Sequence, residues 1–156
     1  MAEEKLDDGD KKLLSDIEKY GVHIVHILAD EENPPFGFSV GLFKNYNHPE
    51  IIMAGLKREL IHSLINDMAA DIKNGKIFTP YSYYNDIIDG FGCYFIEVDK
   101  SNYRKYMGYA SWYYNGSNFP VVQCIYPTTK GIYPWQKEWP ENLKMLQPLL
   151  GPVNQN

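Results

Sequence analysis

At 156 residues, 44% of them hydrophobic and 22% charged, the chain has the balance of one globular domain, long enough to bury roughly 70% of its unfolded surface. A net charge of −5, with Lys57-Arg58 and Lys73 to Lys76 only as isolated pairs, argues against a phosphate backbone, and hence nucleic acid, as partner. Cys93 and Cys124 lack CxxC spacing, which excludes a disulfide-stapled scaffold and points to a reducing cytoplasm, and no apolar run approaches the ~20 residues that span a membrane.

The first nine residues are acidic and aperiodic, lack the basic start and apolar run of a signal peptide, and are expected to be disordered. From Asp10 the spacing Leu13, Leu14, Ile17, Tyr20 predicts a helix, with Asp10 as N-cap and Gly21 as its stop. Val22 to Ala29 reads as a strand apolar on both faces. The stretch Asp30-Glu31-Glu32-Asn33-Pro34-Pro35 cannot continue a ladder, because proline offers no N–H. Phe36 to Leu42 then alternates: Phe36, Phe38, Val40 and Leu42 on one face, Gly37, Ser39 and Gly41 on the other. The two runs form an expected antiparallel hairpin with a six-residue connection, and its small-residue face leaves room for something to lie against the backbone.

Phe43 to Glu50 reads as a loop and Ile51 to Leu56 as a short buried strand. Arg58 to Lys73 carries the clearest helical period, through Leu60, Ile61, Leu64, Ile65, Met68, Ala69 and Ile72. Ile77 to Tyr84 is ambiguous, a strand broken at Pro80, followed by a turn over Asp86 to Gly90 and a strand over Gly92 to Val98. Tyr103, Tyr106, Met107, Ala110 and Tyr113 recur at helical spacing, Phe119 to Tyr126 is the last strand, and the Pro/Trp-rich remainder wraps the sheet as loop. The fold class is therefore α+β: a mostly antiparallel sheet of about five to six strands with two or three helices packed against it, in a single globular domain over residues 10–156.

Several residue groups invite chemistry. Gly37-Phe38-Ser39-Val40-Gly41 matches G-x-S-x-G, but a nucleophile elbow needs a strand turning sharply into a helix, and the residues after Gly41 are a poor helix start. His23 and His26 would share a metal on a helix; on a strand an offset of three sends them to opposite faces, so no metal site is expected. His48 and Glu50, at i and i+2 around Pro49, can project to one side as a base and the carboxylate that orients it. Gln123, in an apolar strand, must either hold backbone or read a ligand. Trp135 and the Tyr-rich stretches either line a groove or pack in the core.

Taken in order, these residues resemble a family: the bacterial proteins grouped as domain of unknown function 4262. The likeness runs through Tyr20-Gly21-Val22-His23, Val25-His26, Pro34-Pro35-Phe36, Ser39-Val40-Gly41-Leu42, His48-Pro49-Glu50, Gly55-Leu56 and Leu64-Ile65-Asn66-Asp67. It continues through Phe119-Pro120-Val121-Val122-Gln123, Tyr126-Pro127, Gly131, Pro134-Trp135 and Gln147-Pro148-Leu149-Leu150. Similar proteins usually carry an aspartate after the Tyr-Pro pair, where this chain has Thr128. The resemblance implies no activity, substrate or cofactor; it implies that His23, Ser39, His48, Glu50, Gln123 and Trp135 recur together on a small stand-alone domain.

The expectation is a pocket for an unidentified small molecule, for binding or acid/base catalysis, built on the hairpin of residues 21–56. His48, Glu50 and His23 would be the catalytic groups, with Ser39, Gly41, Gln123 and Trp135 at the ligand. The alternative is an interaction module without catalysis, a toxin-neutralising or regulatory partner docking through acidic charge and exposed aromatics. The gathering of unusual residues near one hairpin favours the pocket.

Overall fold

The structure is a computed structural model in which residues 6–154 are described. Helix α1 (Asp8–Tyr20) opens on Asp7, whose carboxylate accepts the Asp10 N–H at 2.8 Å while the Asp10 carboxylate accepts the Asp7 N–H at 3.1 Å. Asp10 is thus the third residue of a reciprocal capping box, not the N-cap expected, because Asp7 lies at the distance that lets both side chains reach back. Gly21, with φ of 86°, ends the helix as expected, its N–H returning to the Ile17 carbonyl.

Strands β1 (His23–Ile27), β2 (Phe36–Val40), β3 (Glu50–Ala54), β4 (Tyr83–Ile88), β5 (Phe91–Glu97) and β6 (Val121–Ile125) form one sheet in the order β1-β2-β3-β6-β5-β4. Only β3 and β6 run parallel. The class is the α+β expected, with the sheet at six strands. Leu28 and Ala29 leave the ladder, so the β1–β2 connection spans residues 28–35, longer than expected. Asp30 closes it by accepting the N–H groups of Glu32 and Asn33.

Helix α3 (Arg58–Lys73) covers one face of the sheet, burying Ile61, Leu64, Ile65, Met68 and Ile72 against Ile51, Met53, Phe95, Val122 and Cys124. At about 1.5–3 kcal/mol per buried large side chain, this contact holds the helix to the sheet. On the other face, Leu13 and Ile17 of α1 join Phe36, Phe38, Val40, Ile52 and Val121. Helices α4 (Tyr103–Tyr106) and α5 (Gly108–Tyr114) complete that side with Tyr103, Tyr106 and Ala110. Beyond them the C-terminal segment lays Leu149 and Val153 over Tyr94, Ile96 and Ile125. Among the described residues no helix is long and apolar enough to cross a membrane.

The sequence reading differs from the structure in four further places. The expected loop over Phe43 to Glu50 contains a short helix, α2 (Leu42–Tyr46). The helix expected through Tyr103 to Tyr113 is two pieces, because Met107 adopts φ −114° and ψ 32° and interrupts the coil while the apolar period runs on through it. The turn expected over Asp86 to Gly90 is confined to Asp89-Gly90: β4 runs to Ile88, with a register irregularity between Tyr84 and Ile88. The segment 77–82 forms no strand of its own: the Tyr84 hydroxyl accepts the Thr79 N–H at 2.8 Å, and Tyr81 and Ser82 exchange backbone bonds with Phe95 of β5.

Candidate functional site

The small-residue face of β2 is where an opening was expected. It is filled by α3: a Cβ added at Gly37 would stand 2.7 Å from Ile61 Cγ2 and 3.2 Å from the Val25 carbonyl oxygen. Glycine there answers close approach by the protein's own helix.

Ser39, Gly41 and Glu50 do come together, in a fully buried knot. Glu50 Oε1 accepts the Ser39 hydroxyl at 2.7 Å and the Leu42 N–H at 3.2 Å; Oε2 accepts the N–H groups of Gly41 and Phe43 at 3.0 and 3.1 Å, and the Tyr114 hydroxyl from α5. Gly41, at φ 118°, turns the chain so that three successive N–H groups converge on one carboxylate. Short α2 has no side-chain cap of its own; Glu50 supplies its acceptor from eight residues downstream of Leu42. Burial pushes the Glu50 carboxyl up from the ordinary range, and the hydrogen bonds from Tyr114, Ser39, Phe43 and Gly41 oppose that rise.

His48 lies apart from this knot in its bonding. Its Nδ1–H donates to the Pro49 carbonyl at 2.8 Å and its Nε2 accepts the Phe78 N–H at 3.0 Å, which fixes the neutral tautomer. Burial lowers its affinity for a proton. Gln123 is also saturated: Nε2–H donates to the Pro148 carbonyl at 2.8 Å and Oε1 accepts the Leu150 N–H at 3.0 Å, pinning the C-terminal segment. Trp135 packs 5.1 Å from Tyr94 and stacks 4.9 Å from Tyr133 on the same distant part of the sheet.

His23 is placed differently. Strand β1 is an edge of the sheet, with α1 against one face and α3 against the other. His23 turns toward α1, where its Nδ1 meets Asp16 Oδ2 at 2.7 Å; the other Asp16 oxygen accepts Lys12 Nζ at 2.7 Å. Burial tends to raise the Asp16 carboxyl, but the hydrogen bonds from Lys12 and His23 outweigh it and the net direction is down. An ionised carboxylate only accepts, so Nδ1 carries a proton toward Asp16, and Nε2 meets no hydrogen-bond partner among the described residues. His26, three residues on, turns to the opposite face as strand geometry requires, and meets His62 of α3 with 3.0 Å between Nε2 and Nδ1. Burial, then the nearby Arg58 charge, lowers His26 to about 4.

Two adjoining recesses flank this edge, of about 380 and 560 Å³. Lys12, Asp16, His23, Ile24 and His62 line both; Asn66 and Lys73 extend the first, and His26, Arg58 and Tyr109 the second. The volumes are those of small-molecule sites. Of the residues expected from sequence to be catalytic or ligand-binding, only His23 reaches this space; His26, weighed there only as a metal ligand, lines the second recess. Asp16, Lys12, Arg58 and His62 were missed as a group; the i,i+4 spacing of Lys12/Asp16 and of Arg58/His62 on their helices was the available signal, and it reads equally as ordinary surface.

A model of the family described as Domain of unknown function (DUF4262) matches residues 16–140. The chain belongs to this family. The matched span starts at Asp16 and takes in His23, Arg58 and His62, while residues 147–150, part of the resemblance read from sequence, lie beyond it. No curated protein and no solved structure matches the chain. In this DUF4262 domain the departure at Thr128 keeps a local role: its Oγ1 accepts the Lys130 and Ile132 N–H groups at 3.3 and 3.1 Å, contacts an aspartate carboxylate also makes in turns. Among the described residues, no group of three or more His, Cys, Asp or Glu side chains stands where it could hold one metal ion.

Proposed function

We propose that this domain binds a small molecule in the recesses outside β1 and that His23, held by Asp16, exchanges a proton with it. The observation that carries the reading is the Asp16–His23 pair at 2.7 Å lining both recesses, with Nε2 unengaged among the described residues. A carboxylate that fixes the tautomer and stabilises the imidazolium is the usual requirement for an acid/base histidine. The site lies on the hairpin of residues 21–56, at its outer edge and not on its glycine face. Two free, buried cysteines support a cytoplasmic setting, and the acidic balance supports a ligand other than nucleic acid.

The test is a thermal-shift screen of a metabolite set on the wild-type chain, on His23→Gln and on Asp16→Asn. A bound compound stabilises the fold by mass action, by about 2.7 kcal/mol at a hundredfold excess over Kd, and Tm rises with it. The rise should shrink in both variants. A hit that shifts all three proteins equally, or no hit at all, removes the reading.

The same edge supports one other reading, an interaction module. Among the described residues strand β1 has no strand partner on its outer side, and Leu28 at its end is 78% exposed, so a partner protein could add a strand there. Leu28→Asp would then abolish capture of that partner from a native lysate while leaving small-molecule shifts intact.

A further inference from the structure

The charge around the β1 recesses runs against that of the chain. The whole chain carries −5, yet the ionic side chains lining the two recesses are Lys12, Arg58 and Lys73 against Asp16 alone. Asp16 is already answered by Lys12 at 2.7 Å. Arg58 and Lys73 have no ion-pair partner among the described residues. They stand at opposite ends of α3, about 22 Å apart at 1.5 Å per residue, too far to share one small group. Arg58 stands one helical turn before His62, which is joined at 3.0 Å to His26, and all three line the larger recess with His23.

Guanidinium suits one class of ligand best. Its planar fork matches the two oxygens of a carboxylate or phosphate, and charge-assisted bonds of this kind are about twice as strong as neutral ones. The polar face of the recess otherwise offers imidazoles and the Tyr109 ring, with Asp16 turned to Lys12 and His23. We infer that the ligand of this site is a small molecule bearing an oxyanion group, carboxylate or phosphate, bound by Arg58 with His62 beside it, so that the remainder of the molecule lies toward His23. This rests on the proposed binding role of the recess and adds to it the ligand's chemical class and the residue that selects it.

The experiment follows the histidine ring nitrogens of the 156-residue chain by ¹H–¹⁵N NMR at fixed pH and ionic strength. Inorganic phosphate and citrate are the two probes, and wild type, Arg58→Gln, Arg58→Lys and the distant Lys130→Gln are compared. Saturable shifts of the His62 and His23 rings are expected, with Kd on the order of 1 mM, as befits fragments of a larger ligand. Arg58→Gln should weaken binding by about tenfold, Arg58→Lys by less, and Lys130→Gln not at all. The phosphate and citrate arms separate a phosphate from a carboxylate ligand. Shifts that stay linear with concentration, or that are the same in Arg58→Gln as in wild type, overturn the oxyanion assignment. If a neutral or cationic compound from the metabolite screen moves the His23 ring while both anions do not, the ligand class falls and the site stands. If the anions saturate at Arg58 and His62 without disturbing His23, the anion site stands and the acid/base role of His23 falls.

Discussion

Glu50 offers the sharpest test of how this fold is held. Five groups donate to its carboxylate: two hydroxyls and the N–H groups of Gly41, Leu42 and Phe43. The hydroxyl protons are committed by what the oxygens already accept, the Ile51 N–H at Ser39 and the Lys44 N–H at Tyr114. With donors on every side, the ionised form is the one the site is built for at neutral pH, despite the cost of burial. Glu50→Ala leaves three buried backbone donors and two hydroxyls without their acceptor. At about 1–3 kcal/mol per stranded donor, with the hydroxyls free to turn elsewhere and the burial cost of the charge relieved, the net loss is about 4 kcal/mol. A domain of this kind is stable by about 5–15 kcal/mol, so the variant keeps its fold with a much reduced margin. Glu50→Gln retains one oxygen but turns an NH₂ into a ring of donors, and should cost about 2–3 kcal/mol. Tyr114→Phe removes one donor, about 1–2 kcal/mol, and its effect should shrink markedly in the Glu50→Gln background. Urea unfolding at pH 7 reads the wild type, the three single variants and the double variant through the midpoint at constant m. A Glu50→Gln protein within about 0.5 kcal/mol of wild type would mean that the group is buried protonated, and the argument from five donors would fail.

The His26 ring, lowered to about 4 in the folded protein, binds protons less readily there than in the unfolded chain, where a histidine titrates near 6.5. Its contribution to stability is therefore full above about pH 6.5 and lost as pH falls toward 4; discounted for partial exposure, it amounts to about 1–2 kcal/mol. The stability difference between pH 7.5 and 4.5 should be smaller in His26→Gln than in wild type by that amount, and an equal difference in both contradicts it. Gly37→Ala should cost about 1–3 kcal/mol by pressing on Ile61, and Ile61→Val in the same chain should recover part of this; additive losses in the urea midpoint would speak against the contact. Gln123→Leu cuts the side-chain bonds to Pro148 and Leu150 and leaves the Leu150 carbonyl held by the Asp99 N–H and Asn102 Nδ2, so the Leu150 amide should exchange with solvent at least tenfold faster while amides in β2 keep their protection.

What was legible in the sequence follows the range of the interactions responsible. The large/small alternation in Phe36 to Val40, where one face meets the core and the other the close approach of α3, and the 3.6-residue period of α3 are both local patterns, and both appear where the sequence puts them. Helix α2 was not legible: five residues with no cap of their own are stabilised by a carboxylate on the next strand and a tyrosine of α5, and nothing within Leu42–Tyr46 announces either. The same logic separates two kinds of conspicuous residue. Ser39 stood out on a small-residue face, His48 and Glu50 as a base and carboxylate spaced around Pro49, and Gln123 as an amide in an apolar strand, but a buried hydrogen-bond bracket requires the same residues, and each is bonded within the protein. The recess outside β1 is assembled from the opposite material. Lys12, Asp16, Arg58 and His62 are ordinary on a helix surface, and only the placement of α1 and α3 on either side of an edge strand gathers them around His23. For this fold, then, a search for ligand contacts is better directed at charged residues left without partners at the sheet's edge than at polar residues the core already satisfies.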